Sequence, residues 1–177
     1  MLQFRRWLIL GLALACLAGC ASSLTQDIAV ETEANPEVDF GAHQTFAWLG
    51  AAAGVGDPDG IWTPPQLDVI AEVRFLVNRE LRKRGMSEVV ASPDVEVLCA
   101  IGVDMNALEL VQDPQTLLEL AENIPKAALV VTLVDPATRI PIWLGIAVAT
   151  LQEDPSNDVV KKRVHYAVSE ILKGLPR

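Results

Sequence analysis

Three cysteines, two histidines and a scatter of acidic residues are the side chains of this chain that could do chemistry. The histidines come first. His43 falls in a turn and His165 on a helix, with no spacing that would converge on zinc. No serine stands in a Gly-x-Ser-x-Gly setting, and no Gly-Lys-Ser/Thr is present to make a phosphate loop. Asp57, Asp59 and Asp68 match the first, third and twelfth places of a calcium loop. Its sixth place is Trp62 where glycine is needed, and its last is Asp rather than Glu, so a plain turn is expected. Most acids lie at helix starts or turns, as capping and solvation place them. A pair of carboxylates can still be assembled by the fold, but no catalytic residue, metal site or cofactor is expected. Cys99 alternates with Val95, Val97, Ile101 and Val103 and reads as a buried, inert thiol.

Cys20 is different. Arg5 and Arg6 precede the uncharged run Trp7–Leu17 of eleven residues, too short to span a bilayer, which takes about 20, but suited to a secretory signal. Leu17-Ala18-Gly19-Cys20 then resembles the lipobox of bacterial lipoprotein precursors. That resemblance implies removal of residues 1–19, thioether lipidation of Cys20 and acylation of the new N-terminus. Ala21 after the cysteine, rather than Asp, implies delivery to the outer membrane of a Gram-negative envelope. Arg5-Arg6-Trp7 leaves Sec and twin-arginine export both open. The polar stretch 21–26 is a tether of at most about 20 Å, which keeps the domain close to the lipid.

The 158 residues from Cys20 onward suffice for one domain with its own core. They carry 12 basic and 23 acidic residues, a net charge of −11. That excess opposes binding to nucleic acid and adsorption to an anionic membrane surface. With Cys20 lipidated, Cys99 has no partner for a disulfide.

The domain, residues 27–177, reads in order as two strands, a helix, three strands and a helix. Ile28–Glu33 alternates as a first strand, and Thr45–Trp48 is a second β-prone piece. Gly50–Gly60, rich in Gly and Ala, reads as the most flexible stretch. Thr63-Pro64-Pro65-Gln66 looks like a helix start, and Leu67, Ile70, Val73, Val77 and Leu81 trace an apolar stripe to Gly85. Asp94–Met105 is a long strand. Asp113-Pro114 opens a short acidic helix, Gln115–Asn123. Ala127–Val134 and Ile140–Leu151 form a hairpin, and Asp154 or Asn157 opens a last helix closing at Gly174.

This order of motifs resembles the DUF4136 family of bacterial envelope lipoproteins. The matching residues are Asp39-Phe40, Thr45-Phe46-Ala47-Trp48, Pro93-Asp94-Val95, Val134-Asp135, Trp143 with Gly145, and Leu175-Pro176. The resemblance covers nearly the whole chain after Cys20. His43-Gln44 and Leu144 depart from the residues common there, and the Gly-rich segment is longer. The resemblance implies a fold and an address, and carries over no active site.

The expected fold is α+β, a two-layer sandwich of a mostly antiparallel sheet with both amphipathic helices on one face, in the order β-β-α-β-β-β-α. The bulky face, Val97, Ile101, Leu129, Val131, Leu133, Ile142, Leu144 and Ile146, should carry the helices. The other, with Ala100, Gly102, Thr132, Trp143, Gly145 and Ala147, is too small-sided for a core and too apolar for water. It forms either a shallow groove around Trp143 or a surface covered by the short helix and the Gly-rich loop. Two functions suit this chain: a non-catalytic scaffold or accessory protein contacting other envelope proteins, or a carrier of a lipid or small apolar ligand on the Trp143 face.

Overall fold

The structure is a computed structural model that describes residues 24–112, 114 and 119–177. The expected signal segment, Cys20 and the start of the tether lie outside the described residues. A six-stranded sheet in the order β1-β8-β7-β4-β2-β3 carries two helices on one face. Its strands are β1 (Ala29–Ala34), β2 (Thr45–Gly56), β3 (Ser87–Glu88), β4 (Val95–Asp104), β7 (Lys126–Val134) and β8 (Pro141–Thr150). The helices are α1 (Val69–Lys83) and α2 (Asn157–Lys173), and β5 (Leu108–Gln112) with β6 (Glu119–Asn123) makes a separate hairpin. The α+β two-layer reading therefore holds. The β1–β8, β7–β8 and β4–β7 pairs are antiparallel, and β2 runs parallel to β3 and β4.

Three local expectations change. Gly50–Gly56 is no loop but the second half of β2, continuing past a bulge at Trp48/Gly50 and paired with Leu98–Asp104. The register of β4 imposes the extended backbone there, overriding the low strand preference of Gly and Ala. Helix α1 begins at Val69 with Asp68 as cap, its carboxylate accepting from the Ala71 N–H at 2.9 Å. A start at Pro64 is blocked because Pro65 bars the residue before it from helical geometry. The acidic helix expected over Gln115–Asn123 is instead strand β6 from Glu119 onward; Asp113 and Gln115–Leu118 lie outside the described residues.

The two helices lie side by side and run parallel, α1 burying Val73, Leu76, Val77 and Leu81, and α2 burying Ala167, Val168, Ile171 and Leu172. At their C-terminal ends Arg84 donates to the carbonyl oxygens of Leu172, in the last turn of α2, and of Pro176 beyond it, tying the two helix ends together. Trp48 Nε1 donates to Asn78 Oδ1 at 2.8 Å, and the Arg74 guanidinium stacks over the same indole. Phe46, Val95, Val97, Val131, Leu133 and Trp143 complete the core at this end.

Candidate functional site

Strand register decides which residues share a face. Leu133 pairs with Trp143, Val131 with Gly145 and Leu129 with Ala147, and the same three β7 residues pair with Val97, Cys99 and Ile101. All of them face the helices. The six residues of the expected groove are thus split. Trp143, Gly145 and Ala147 lie beneath the helices and are buried, while Ala100, Gly102 and Thr132 lie on the opposite face. The phase assigned to β8 was off by one residue, the slip that sends every side chain to the other face.

Matching bulky residues to bulky residues produced that slip. At Gly145 the core uses the reverse rule: the small β8 residue makes room for what lies above it. A Cβ on Gly145 would stand 2.5 Å from Ile171 Cγ2 and 2.8 Å from Trp143 Cη2, so glycine admits both the indole and the helix. Trp143 Nε1 is buried without a hydrogen-bond partner among the described residues, at an expense of about 1–3 kcal/mol for an unpaired donor.

The outer sheet face is apolar, and no described helix packs on it. Its rows are Leu98–Thr132–Leu144, Ala100–Val130–Ile146 and Gly102–Ala128–Val148. Leu98 and Leu144 are 37% and 38% exposed and flank the buried Thr132. Charged residues frame the patch. Glu31 and Glu33 of β1 stand beside Ile146 and Leu144, the Glu96–Arg139 ion pair closes one end, and Lys126 with Glu109 the other.

A second apolar feature lies on the helix side. Between the N-terminal halves of α1 and α2 and the sheet is a cavity of about 370 Å³. Its floor is Ala53, Ala127, Ala147 and Ala149, and its roof includes Ile70, Val73, Val160 and Val164. The sheet's large residues sit at the other end, so the helices close tightly there and leave space here. Arg163 at the rim is fully engaged at both terminal nitrogens. It donates to Asp27 Oδ1 and Oδ2 at 2.8 and 2.6 Å, to the Leu24 carbonyl at 2.5 Å and to the Thr150 carbonyl at 3.1 Å. The turn Leu24–Asp27, whose residues 24–26 the sequence assigns to the tether, is thereby joined to the domain.

The residues considered for chemistry serve the fold. Both Asp57 oxygens accept backbone N–H bonds, from Ile61 at 3.2 Å and Trp62 at 2.7 Å, which closes a turn. His165 Nε2 sits 2.5 Å from Arg79 Nη2, where it can only accept. His43 lines a polar cleft with Lys83, Arg84 and Glu80, and its Nδ1 has no partner among the described residues. Cys99 is buried, and desolvation pushes its thiol up to about 11. Asp94 ties the starts of β2 and β4 together. Its Oδ2 accepts from the Gln44 N–H, the Thr45 N–H and the Thr45 hydroxyl, at 2.9, 2.8 and 2.8 Å, and its own N–H returns to Thr45 Oγ1. Those bonds, the Gln44 N–H foremost, hold its carboxyl below the usual carboxylate range.

A model of DUF4136, a domain of unknown function, matches residues 30–177. The chain belongs to the DUF4136 family. A crystal structure of a DUF4136 family protein from Bacteroides thetaiotaomicron superposes with a TM-score of 0.53 at 8% identity, over 81% of this chain and 95% of that one. A PDZ domain protein from Parabacteroides distasonis gives a TM-score of 0.51 at 16% identity, over 85% of this chain; the match spans 37% of that protein. The PelC dodecamer from Paraburkholderia phytofirmans gives 0.47 at 11% identity, over 84% and 97% of the two chains. No curated protein sequence matches. These likenesses concern the fold.

The motifs on which the resemblance rests now have physical roles. Asp39 caps the 3-10 turn Phe40–Ala42, Thr45 and Asp94 lock the parallel strand starts, and Asp135 closes the β7–β8 turn by accepting from the Ala137 N–H and the Thr138 hydroxyl. The cavity, by contrast, was missed in the sequence. Its only trace there is the run of alanines at 53, 127, 147 and 149, which means nothing until register puts them side by side. No described helix of this DUF4136 protein is long and apolar enough to cross a membrane.

Proposed function

We propose that this protein is a non-catalytic envelope lipoprotein, anchored through lipidated Cys20 and acting by contact with other envelope proteins through the outer face of its sheet. The observation that carries the reading is the patch of three apolar rows around Leu98, Val130 and Leu144, which no described helix covers. An apolar centre with a charged border is the anatomy of a protein-contact surface. The acidic border from Glu31 and Glu33 favours a partner whose own apolar patch is edged with basic residues. The address follows from the lipobox: Ala21 after Cys20 directs the protein to the outer membrane, facing the periplasm.

Photo-crosslinking in intact cells tests the contact. A photoreactive residue at Leu144 should give an adduct with another envelope protein, and one at Lys162, exposed on α2, should not. Recovery of the bare monomer from both positions would overturn the reading.

A second reading, binding of a lipid or small apolar ligand, is favoured by the cavity. It moves that function from the sheet face where Trp143 was expected to the space beneath the helices, of which Ala147 alone among the six expected residues forms part.

A further inference from the structure

We infer that the cavity under α1 and α2 seats one acyl chain of the lipid carried on Cys20, an inference that rests on the reading of Cys20 as lipidated. Three observations support it. The first is chemical. The walls are mainly apolar, aliphatic side chains of both helices and the sheet with Trp62 beside them, and the cation at the rim, Arg163, already spends both terminal nitrogens on Asp27, Leu24 and Thr150. No free charge remains there to hold a carboxylate or phosphate head group, so the site fits hydrocarbon.

The second is size. The cavity's 370 Å³ falls at the small end of the range of ligand pockets, about 300–1,000 Å³, a size that suits a single hydrocarbon chain.

The third is where the chain leaves the domain. The Leu24 carbonyl is held by Arg163, a residue of the cavity rim, and Ile28 lines the cavity itself. Cys20 lies four residues before Leu24, at most about 14 Å away. An acyl chain attached there faces the cavity at an effective concentration on the order of millimolar, ahead of any scarce diffusible lipid. Seating it exchanges one apolar surrounding for another. The remaining chains keep the anchor, because two suffice for stable attachment. The seated chain holds the end of the domain where α1 and α2 begin against the membrane, and the outer sheet face lies on the opposite side of the sheet from it.

The experiment uses the full-length lipoprotein. Cells are fed a diazirine-bearing fatty acid that enters lipoprotein acyl chains. They are irradiated, and the purified protein is digested and analysed by mass spectrometry. The expected result is crosslinking of the Cys20 lipopeptide to the segments 67–73 and 160–167. Replacing Ala149 in the cavity floor by a bulky side chain, Ala149→Phe, should abolish those crosslinks while the melting temperature is retained. Should that variant not fold, the wild-type crosslink map decides alone. A labelled Cys20 whose crosslinks reach only phospholipid overturns the inference and leaves the lipidation reading intact. Crosslinks joining the cavity segments to free phospholipid, with none to Cys20, assign the cavity to a bilayer lipid and overturn it as well. Absence of any label on Cys20 overturns the lipidation reading and the inference with it.

Discussion

Arg163 grips Asp27 through two parallel hydrogen bonds, 2.8 Å from Nη1 to Oδ1 and 2.6 Å from Nη2 to Oδ2. The fork-to-fork geometry joins the first turn of the domain to α2 and adds direction as well as strength. The Asp27 carboxylate also accepts from the Thr150 N–H at 3.1 Å, so one side chain ties the N-terminal turn, the end of β8 and a helix together.

This junction makes stability depend on acid. The hydrogen bond from Arg163 is the main cause that holds the Asp27 carboxyl below the usual carboxylate range, against the opposing effect of burial. A depressed folded-state pKa means the stabilisation is complete above the unfolded value, about 3.9, and is lost as pH falls through the folded one. Asp27→Asn should lower stability at pH 7 by about 1–3 kcal/mol, the usual worth of a hydrogen bond to a charged group. It should also flatten the fall in stability below pH 4. Denaturant melts of both proteins from pH 7 down to pH 3 check this, since the difference between them should narrow as the pH falls.

Gly145→Ala adds one methyl where Ile171 and Trp143 already stand within 2.8 Å of its position. Overpacking of this kind runs to about 1–3 kcal/mol. Each kcal/mol should lower Tm by about 2–4 °C in a domain of this size. Calorimetry reads it, and near-ultraviolet circular dichroism should report the displaced indole.

Cys99 should resist alkylation in the native state. With its thiol pushed up to about 11, about one molecule in a thousand is thiolate at pH 8, and the side chain is buried besides. Maleimide labelling followed by mass spectrometry should find Cys99 unmodified until denaturant is added, and then fully modified.

Leu144→Thr on the outer face should leave the fold nearly untouched, within about 1 kcal/mol, because the residue is partly exposed and threonine suits a strand. The same change should weaken any partner held by the apolar patch. Melting curves and co-purification from envelope extracts separate the two effects.

Much of this was legible in the sequence, and the reasons are local. The Val73, Val77 and Leu81 part of the α1 stripe and the alternation of β4 are self-contained signals, and both recur in the structure. What escaped depends on partners distant in the chain. Gly50–Gly56 has no strand character of its own and is extended because β4 pairs with it. Trp143 and its neighbours could be set on the wrong face because alternation along β8 fixes two faces without saying which is inward. The pairing of β8 with β7, Leu133 opposite Trp143 and Val131 opposite Gly145, and the room needed by Ile171 decide that. The outer patch was half visible: Ala100, Gly102 and Thr132 stand on it, whereas Leu98, Leu144 and Ile146 entered only with the register.

Both the contact surface and the acyl-chain cavity presuppose that the chain works at a membrane from a lipidated Cys20. The intact mass of the protein extracted from the membrane fraction tests this most directly. The account expects a chain that begins at Cys20 and carries the added mass of its acyl groups, with Cys20→Ser leaving residues 1–19 in place and no lipid attached. An unmodified chain in the soluble periplasmic fraction, or normal membrane retention of Cys20→Ser, would contradict it.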